Sequence, residues 1–167
     1  FLTFFMKKYF LLIIMIFYSF LYSQVGIPSL KLKKLNGKKV KLSTYLKEGP
    51  VLINFWATWC APCKKEMIHL EILEKKYSKQ GLSILAISTD SQKSLSKVRS
   101  YIRTKKYSFD VMLDPNHQVL KKMNASIMPT DILIGKDGSE LWRHYGYLPG
   151  DEKYIEAEIR SALGLID

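Results

Sequence analysis

The chain has 167 residues, 47% of them hydrophobic, which provides one core of ordinary domain size and leaves little for a second. Lys and Arg number 26 against 15 Asp and Glu, a formal net charge of +11 that would suit nucleic acid, anionic lipid or acidic proteins. The basic residues are scattered, as at Lys31, Lys64, Lys93, Lys105, Lys121 and Lys153, with no aromatic-interleaved basic block, so a solvated basic surface is expected and nucleic acid is not an expected partner.

The first stretch stands apart. Lys7-Lys8 precede fourteen residues, Tyr9 to Tyr22, that are apolar or aromatic except for Ser19. A basic start followed by a short apolar run is the layout of an export signal, and a helix that spans a bilayer needs about 20 residues. Residues 1–23 are therefore expected to be a signal peptide cleaved near Ser23-Gln24 or, since Leu21 makes a poor small-residue cleavage site, an uncleaved membrane anchor. The natural start is expected at Met6, which makes residues 6–23 the segment that can associate with a membrane. The domain is placed at 24–167, in an exported, periplasmic or otherwise extracytoplasmic protein.

From Gly26 to Pro50 a hairpin is expected, with Leu30, Leu32 and Val40, Leu42 on either side of the Asn36-Gly37 turn dipeptide. Ser43 is the expected cap of a short helical turn through Leu46, ended by Gly49-Pro50. Val51-Leu52-Ile53-Asn54-Phe55-Trp56 is apolar on both faces, as in a central strand covered by helices on both sides. After Cys60, apolar residues recur at Cys63, Met67, Leu70, Leu73 and Tyr77, which predicts an amphipathic helix ending near Gly81. A second buried strand, Leu82 to Ile87, should lie parallel to the first. A helix at about Gln92 to Thr104, a strand at Val111 to Leu113 and a helix at about Gln118 to Met123 follow. Pro129 then leads into a final hairpin, Asp131 to Ile134 and Glu140 to Tyr145, and a helix from about Asp151 to Leu163 closes the chain.

Both cysteines fall in one motif, Trp59-Cys60-Ala61-Pro62-Cys63. A loop this short gains little chain entropy from a disulfide, so function is the better reason for the pair. The strand before and helix after place Cys60 at a helix N-terminus, where unsatisfied N–H groups and the positive dipole end favour a thiolate. Thiolate is the nucleophile of disulfide exchange. Cys60 is thus expected to attack, and Cys63, one turn deeper, to resolve the mixed disulfide. Half of a zinc site is the structural alternative, but no second ligand pair accompanies it and no metal or further cofactor is expected. Copper carriage stays open, since a Cys pair with a distant His such as His144 can bind that ion. His69 and His117 are placed on helix surfaces.

Asn54 to Glu66, read as Asn-Phe-Trp-Ala-Thr-Trp-Cys-Ala-Pro-Cys-Lys-Lys-Glu, resembles the active site of TlpA/ResA-type thioredoxins. The similarity runs from about Gly26 to Leu163 and includes Met128-Pro129-Thr130. It implies an α/β thioredoxin-like fold: a central mixed sheet flanked by helices, with an N-terminal β-hairpin and a helix-strand insertion after the second core strand. It also implies that Pro129 is cis, packs on the disulfide and presents nearby backbone to an extended substrate. Trp59, Ala61, Pro62, Met128 and Thr130 are the expected substrate contacts. Where cytosolic thioredoxins have a buried Asp, this chain has Asn54, which cannot take a proton from the resolving thiol. Glu66, on the helix face of Cys63, is the candidate base, as in ResA-like proteins; the alternative is a surface Glu paired with Lys65 or Lys75.

The activity implied is thiol:disulfide oxidoreduction. Ala61-Pro62 is closer to the Gly-Pro of reducing thioredoxins than to the Pro-His of strong oxidants, which points to a reductase of protein disulfides, with apocytochrome c cysteines among possible clients. A reductase in an oxidising compartment needs a transmembrane thiol-transferring electron donor. An oxidase or isomerase on the same fold and a non-catalytic copper carrier are the rivals. Peroxidases of this fold activate one cysteine with a Thr and an Arg in another local pattern, which the Trp-Cys-x-x-Cys motif replaces.

Overall fold

The computed structural model describes residues 29–165. The expected leader at 1–23 lies outside the described residues. Among those described, no helix is long and apolar enough to cross a membrane.

The chain opens on β1 (Lys31–Lys34) and β2 (Lys39–Lys41), antiparallel with Leu32 opposite Val40. Gly37, at φ 88°, takes the positive dihedral that the turn between them requires. Helix α1 (Leu42–Leu46) begins two residues earlier than expected: Lys41 is its N-cap, Leu42 N–H bonds the Leu30 carbonyl, and Ser43 lies within the helix instead of capping it. Burial of Leu42 and Leu46 fixes that start.

Strand β3 (Val51–Trp56) is buried at every position and runs into α2 (Ala61–Tyr77). A 3-10 turn, Ser78–Gln80, and Gly81 then lead to β4 (Ser83–Ser88). Next come α3 (Leu95–Lys105), β5 (Asp110–Leu113), α4 (Gln118–Lys122), β6 (Thr130–Ile134), β7 (Glu140–Tyr145) and α5 (Glu152–Ala162). The seven strands form one sheet in the order β2-β1-β5-β4-β3-β6-β7. Strands β3, β4 and β5 are mutually parallel neighbours, whereas β1 on β5, and β6 and β7 beyond β3, run antiparallel. The sheet is mixed, as the resemblance implies.

Strand periodicity sorts β3 onto two cores. Val51, Ile53 and Phe55 join Leu32, Leu42, Ile87 and Ile132 on one face, with α1 and α4 over them. Leu52 and Trp56 join Met67, Leu70, Val98, Ile155 and Ile159 on the other, beneath α2, α3 and α5. Asn54 shares the parity of Leu52 and Trp56, and Asp131 pairs with it across β3 and β6 in the same ladder that sets Leu52 against Leu133. Two polar residues are thus delivered to the buried side on which α2 lies.

Candidate active site

Beyond Trp56, the turn Ala57-Thr58-Trp59 carries the chain to the cysteines, with Cys60 N–H bonding the Ala57 carbonyl at 3.0 Å. That turn is held from β4's side. Asp90 accepts from Thr58 N at 2.8 Å, from Thr58 Oγ1 at 2.6 Å and from Ser88 Oγ at 3.0 Å, and is itself buried. Cys60 is the N-cap of α2, extended in backbone, with Pro62 in the first turn. Its sulfur accepts the Cys63 N–H at 3.3 Å, so a backbone donor at the positive end of a 17-residue helix points at the atom expected to carry charge when reduced.

Cys60 and Cys63 are joined as a disulfide, S–S 1.98 Å and Cα–Cα 5.4 Å. Both sulfurs are buried, Cys60 5% exposed and Cys63 fully covered. Around them Ala61 and Pro62 are exposed and Trp59 stands 69% exposed, whereas Trp56 is fully buried beside Tyr101, ring centroids 5.5 Å apart. Only the first of these tryptophans belongs to the rim.

The segment before β6 approaches from the other side. Met128-Pro129 is a cis bond, and the Pro129 carbonyl accepts Gly146 N–H at 2.8 Å. Half-buried Met128 packs against the apolar cluster that contains both cysteines, and its sulfur accepts from Thr89 Oγ1 at 3.0 Å. Thr130 does not lie on the rim. Its side chain is fully buried and its hydroxyl donates to the Ile127 carbonyl, while its backbone belongs to the β6 ladder. It shapes the loop and leaves no side-chain group for a substrate. Ile127, 56% exposed, occupies the outer position instead.

Glu66 is fully buried, which removes the surface alternative; Lys75 pairs with Glu71 at 2.9 Å. Asn54 Nδ2 donates to Glu66 Oε2 at 2.7 Å and to Asp131 Oδ1 at 2.8 Å. Burial pushes the Glu66 carboxyl well above the usual range, and the neighbouring Asp131 adds to this by charge repulsion and a shared hydrogen bond. Asp131, also buried, is raised by desolvation as well.

His117 is not on a helix surface: it caps α4 in the left-handed region, φ 55°, with Nε2 at 2.8 Å from the Thr89 carbonyl. His144 lies opposite Asp131 on β7, and its Nε2 faces Asp151 Oδ2 at 3.3 Å. Among the described residues no group of three or more His, Cys, Asp or Glu is placed to hold a metal ion.

Asp131 and Asp90 were not singled out by sequence reasoning. For Asp131 a signal existed, a carboxylate inside the apolar run Thr130-Asp131-Ile132-Leu133-Ile134. Asp90 follows a buried strand in the manner of any loop residue and carried none.

A mixed sheet with a parallel β3-α2-β4 core, a Cys-x-x-Cys disulfide capping α2 and a cis-proline loop at the head of β6 defines a thioredoxin-like protein. The chain belongs to the AhpC/TSA family, whose model matches residues 25–139. It is similar to the thiol-disulfide oxidoreductase ResA of Bacillus subtilis, 37% identical over 111 residues, and to ResA of Bacillus cereus, 34% identical over 111 residues. Those alignments cover 66% of this chain but 60% and 62% of the two relatives, so the chain spans about three fifths of the length of the curated proteins it matches. Among solved structures, the thiol:disulfide interchange protein DsbE of Chlorobium tepidum aligns with a TM-score of 0.76 and 29% identity, covering 83% of this chain and 96% of that one.

Proposed function

We propose that this chain is an exported thiol:disulfide oxidoreductase that reduces protein disulfides through Cys60 and Cys63. The observation that carries the reading is the Cys60-Cys63 disulfide at the N-terminus of α2, with the Cys63 amide donating to the Cys60 sulfur. Likeness to relatives named thiol-disulfide oxidoreductase supports it.

In the reduced protein the Cys60 thiolate attacks one sulfur of a substrate disulfide. The Cys60–substrate bond forms, the substrate S–S bond breaks, and the second substrate sulfur leaves as a thiolate with the electron pair. Cys63 then loses its proton and displaces the remaining substrate sulfur from Cys60. The internal disulfide is restored, and both substrate sulfurs end reduced. Glu66, one turn beyond Cys63 on the same helix face, is the group that takes the Cys63 proton: a buried carboxyl of raised pKa is matched to a thiol far better than an ordinary carboxylate. Trp59, Ala61, Pro62 and Met128 frame the approach of an extended substrate segment.

The basic, then apolar start of the chain supports export, with retention at the membrane if the segment is not removed. A transmembrane thiol-transferring donor would return electrons to the disulfide, and apocytochrome c cysteines are one class of client. The test is Cys63→Ser, which strands the mixed disulfide on Cys60. Covalent adducts with exported proteins, released by reductant and absent when Cys60 is also replaced, are expected; recovery of none overturns the reading.

A further inference from the structure

Asp131 has no part in the exchange chemistry just described, yet it is a carboxyl buried on the core side of a central strand. Each such group normally costs several kcal/mol unless neutralised or paired. Among the described residues no Lys or Arg pairs with Asp131. Its neighbours are Glu66 and Asn54, and the three form a closed arrangement in which a single amide nitrogen gives one hydrogen to each carboxyl, at 2.7 Å and 2.8 Å. One amide nitrogen bonded to both carboxyls holds them side by side. Glu66 Oε1 and Asp131 Oδ2, the oxygens that Asn54 does not serve, are fully buried and meet no donor from a protein group. Asn54 Oδ1 is buried without a hydrogen-bond partner as well, so the cluster is short of hydrogens, and a proton held on a carboxyl is what can supply one.

We propose that Asp131 is a positioning residue for the resolving step: bridged by Asn54, it forms with Glu66 a proton-sharing carboxyl pair that receives the proton of Cys63. The inference rests on the role assigned above to Glu66. With one proton the pair carries a single negative charge. When Cys63 becomes a thiolate, that proton passes to the pair, which is then doubly protonated and neutral; the thiolate attacks the Cys60 sulfur of the mixed disulfide, and the substrate sulfur leaves with the electron pair. The proton returns from the pair to solvent or to the departing thiolate, which resets it. The core never holds more than one negative charge, because each arrival of negative charge on the Cys63 sulfur is matched by its loss on the carboxyls.

On α2 itself Cys63 precedes Glu66 by three residues and His69 follows it by three, its ring 6.1 Å from that of Tyr147. From β7 comes His144, opposite Asp131, and from the start of α5 Asp151, which faces His144. Tyr147 donates to Glu152. His144 draws the Asp131 carboxyl down, and Asp151 pushes Glu66 up, both weakly beside burial. Neither replaces the second carboxyl as the site of the shared proton.

The experiment uses the reduced full chain and the aryl disulfide dithiobis(nitrobenzoate), followed from pH 5 to 9. The first nitrothiobenzoate is released as Cys60 attacks, the second as Cys63 resolves. Asp131→Asn keeps shape and the Asn54 contact but withdraws the second carboxyl. The second phase is expected to slow about tenfold at pH 7, with its acid limb moved at least one unit higher, since a buried Glu66 with no carboxyl to share its proton holds that proton to higher pH; the first phase should hardly change. Glu66→Gln should slow the second phase about a hundredfold. If Glu66→Gln slows it and Asp131→Asn changes neither rate nor profile, the pair is wrong and the Glu66 reading stands. If neither variant matters, the Glu66 relay itself fails. Should Asp131→Asn not fold, carboxyl-carbon NMR of the unaltered protein decides: Glu66 and Asp131 are expected to titrate in shared steps, and an Asp131 that ionises independently of Glu66 overturns the proposal.

Discussion

The first two turns of α2 carry two polar sites built on opposite principles. At the helix end, the sulfurs are covered, but the residues beside them, Trp59, Ala61 and Pro62, are open to solvent. One turn in, Glu66, Asn54 and Asp131 are sealed under the sheet. Charge at the first site is stabilised by backbone N–H groups and the helix dipole, whereas charge at the second is opposed by burial. A thiolate forms easily where donors already point at it, and a carboxyl holds its proton where nothing solvates its charge. The distance between the two behaviours is a single helical turn, and that contrast is what a proton transfer from Cys63 toward Glu66 needs.

The largest expected effect breaks the sealed end. Both carboxyls are raised, and the Glu66–Asp131 pair keeps one proton in the folded chain at pH values where the unfolded chain has lost it. The unfolded state therefore binds fewer protons, and stability is greatest below about pH 4, the unfolded carboxyl range, and falls as pH rises toward the folded values. Glu74, raised to about 7 by burial despite the Ile84 N–H that bonds it, adds to the slope below neutrality. Between pH 7 and 9 the buried pair dominates, and with one proton retained the loss is expected at about 1.4 kcal/mol per unit, about 3 kcal/mol over the interval. Glu66→Gln should flatten that segment. Urea denaturation at pH 7, 8 and 9 measures it; parallel slopes for the two proteins would place the titrating group elsewhere.

How much of this contrast was legible from sequence follows the same line. The sulfur end declared itself: a two-sided apolar strand, a Cys-Ala-Pro-Cys motif and a 3.6-residue periodicity from Cys63 to Tyr77 fix strand, turn and helix locally. Burial of Glu66 could be placed by its position between Cys63 and Met67 on one helix face. Its partner could not, because the Asn54–Asp131 pairing joins residues 77 positions apart, and only the register of β3 on β6 brings them opposite. The same limit explains why β1 pairs with β5 unannounced, and why the Asp90 contacts to Thr58, 32 positions away, left no mark in the composition of either loop. Thr130 failed for a different reason: adjacency to Pro129 suggested a contact surface, but strand parity turned its side chain inward.

A middle-sized effect sharpens the sulfur end. The turn that leads to it is anchored by Asp90, which holds the Thr58 backbone, the Thr58 hydroxyl and the Ser88 hydroxyl. Asp90→Ala leaves these donors without their acceptor and should cost about 1–3 kcal/mol in unfolding free energy. The turn before Cys60 loses its anchor at the same time, so attack by Cys60 on a small disulfide should slow severalfold, with the resolving phase less affected. Asp90→Asn keeps one acceptor and should recover part of both losses. Loss of stability with no change in the first phase would show that the cap geometry of Cys60 is set by the helix alone.

The smallest effect separates recognition from chemistry at the open end. Trp59 is 69% exposed and contributes almost nothing to the core, so Trp59→Ala should change stability by less than about 0.5 kcal/mol. An exposed indole beside a redox pair is an unspent apolar surface, and a protein substrate laid across Ala61 and Pro62 would cover it. Exchange with a protein disulfide such as that of insulin should therefore fall several-fold through KM, while exchange with dithiobis(nitrobenzoate) stays as it was. An equal loss with both disulfides would mean that Trp59 acts on Cys60 itself, and the division between a recognising rim and a proton-handling interior would then have to be redrawn one residue closer to the sulfur.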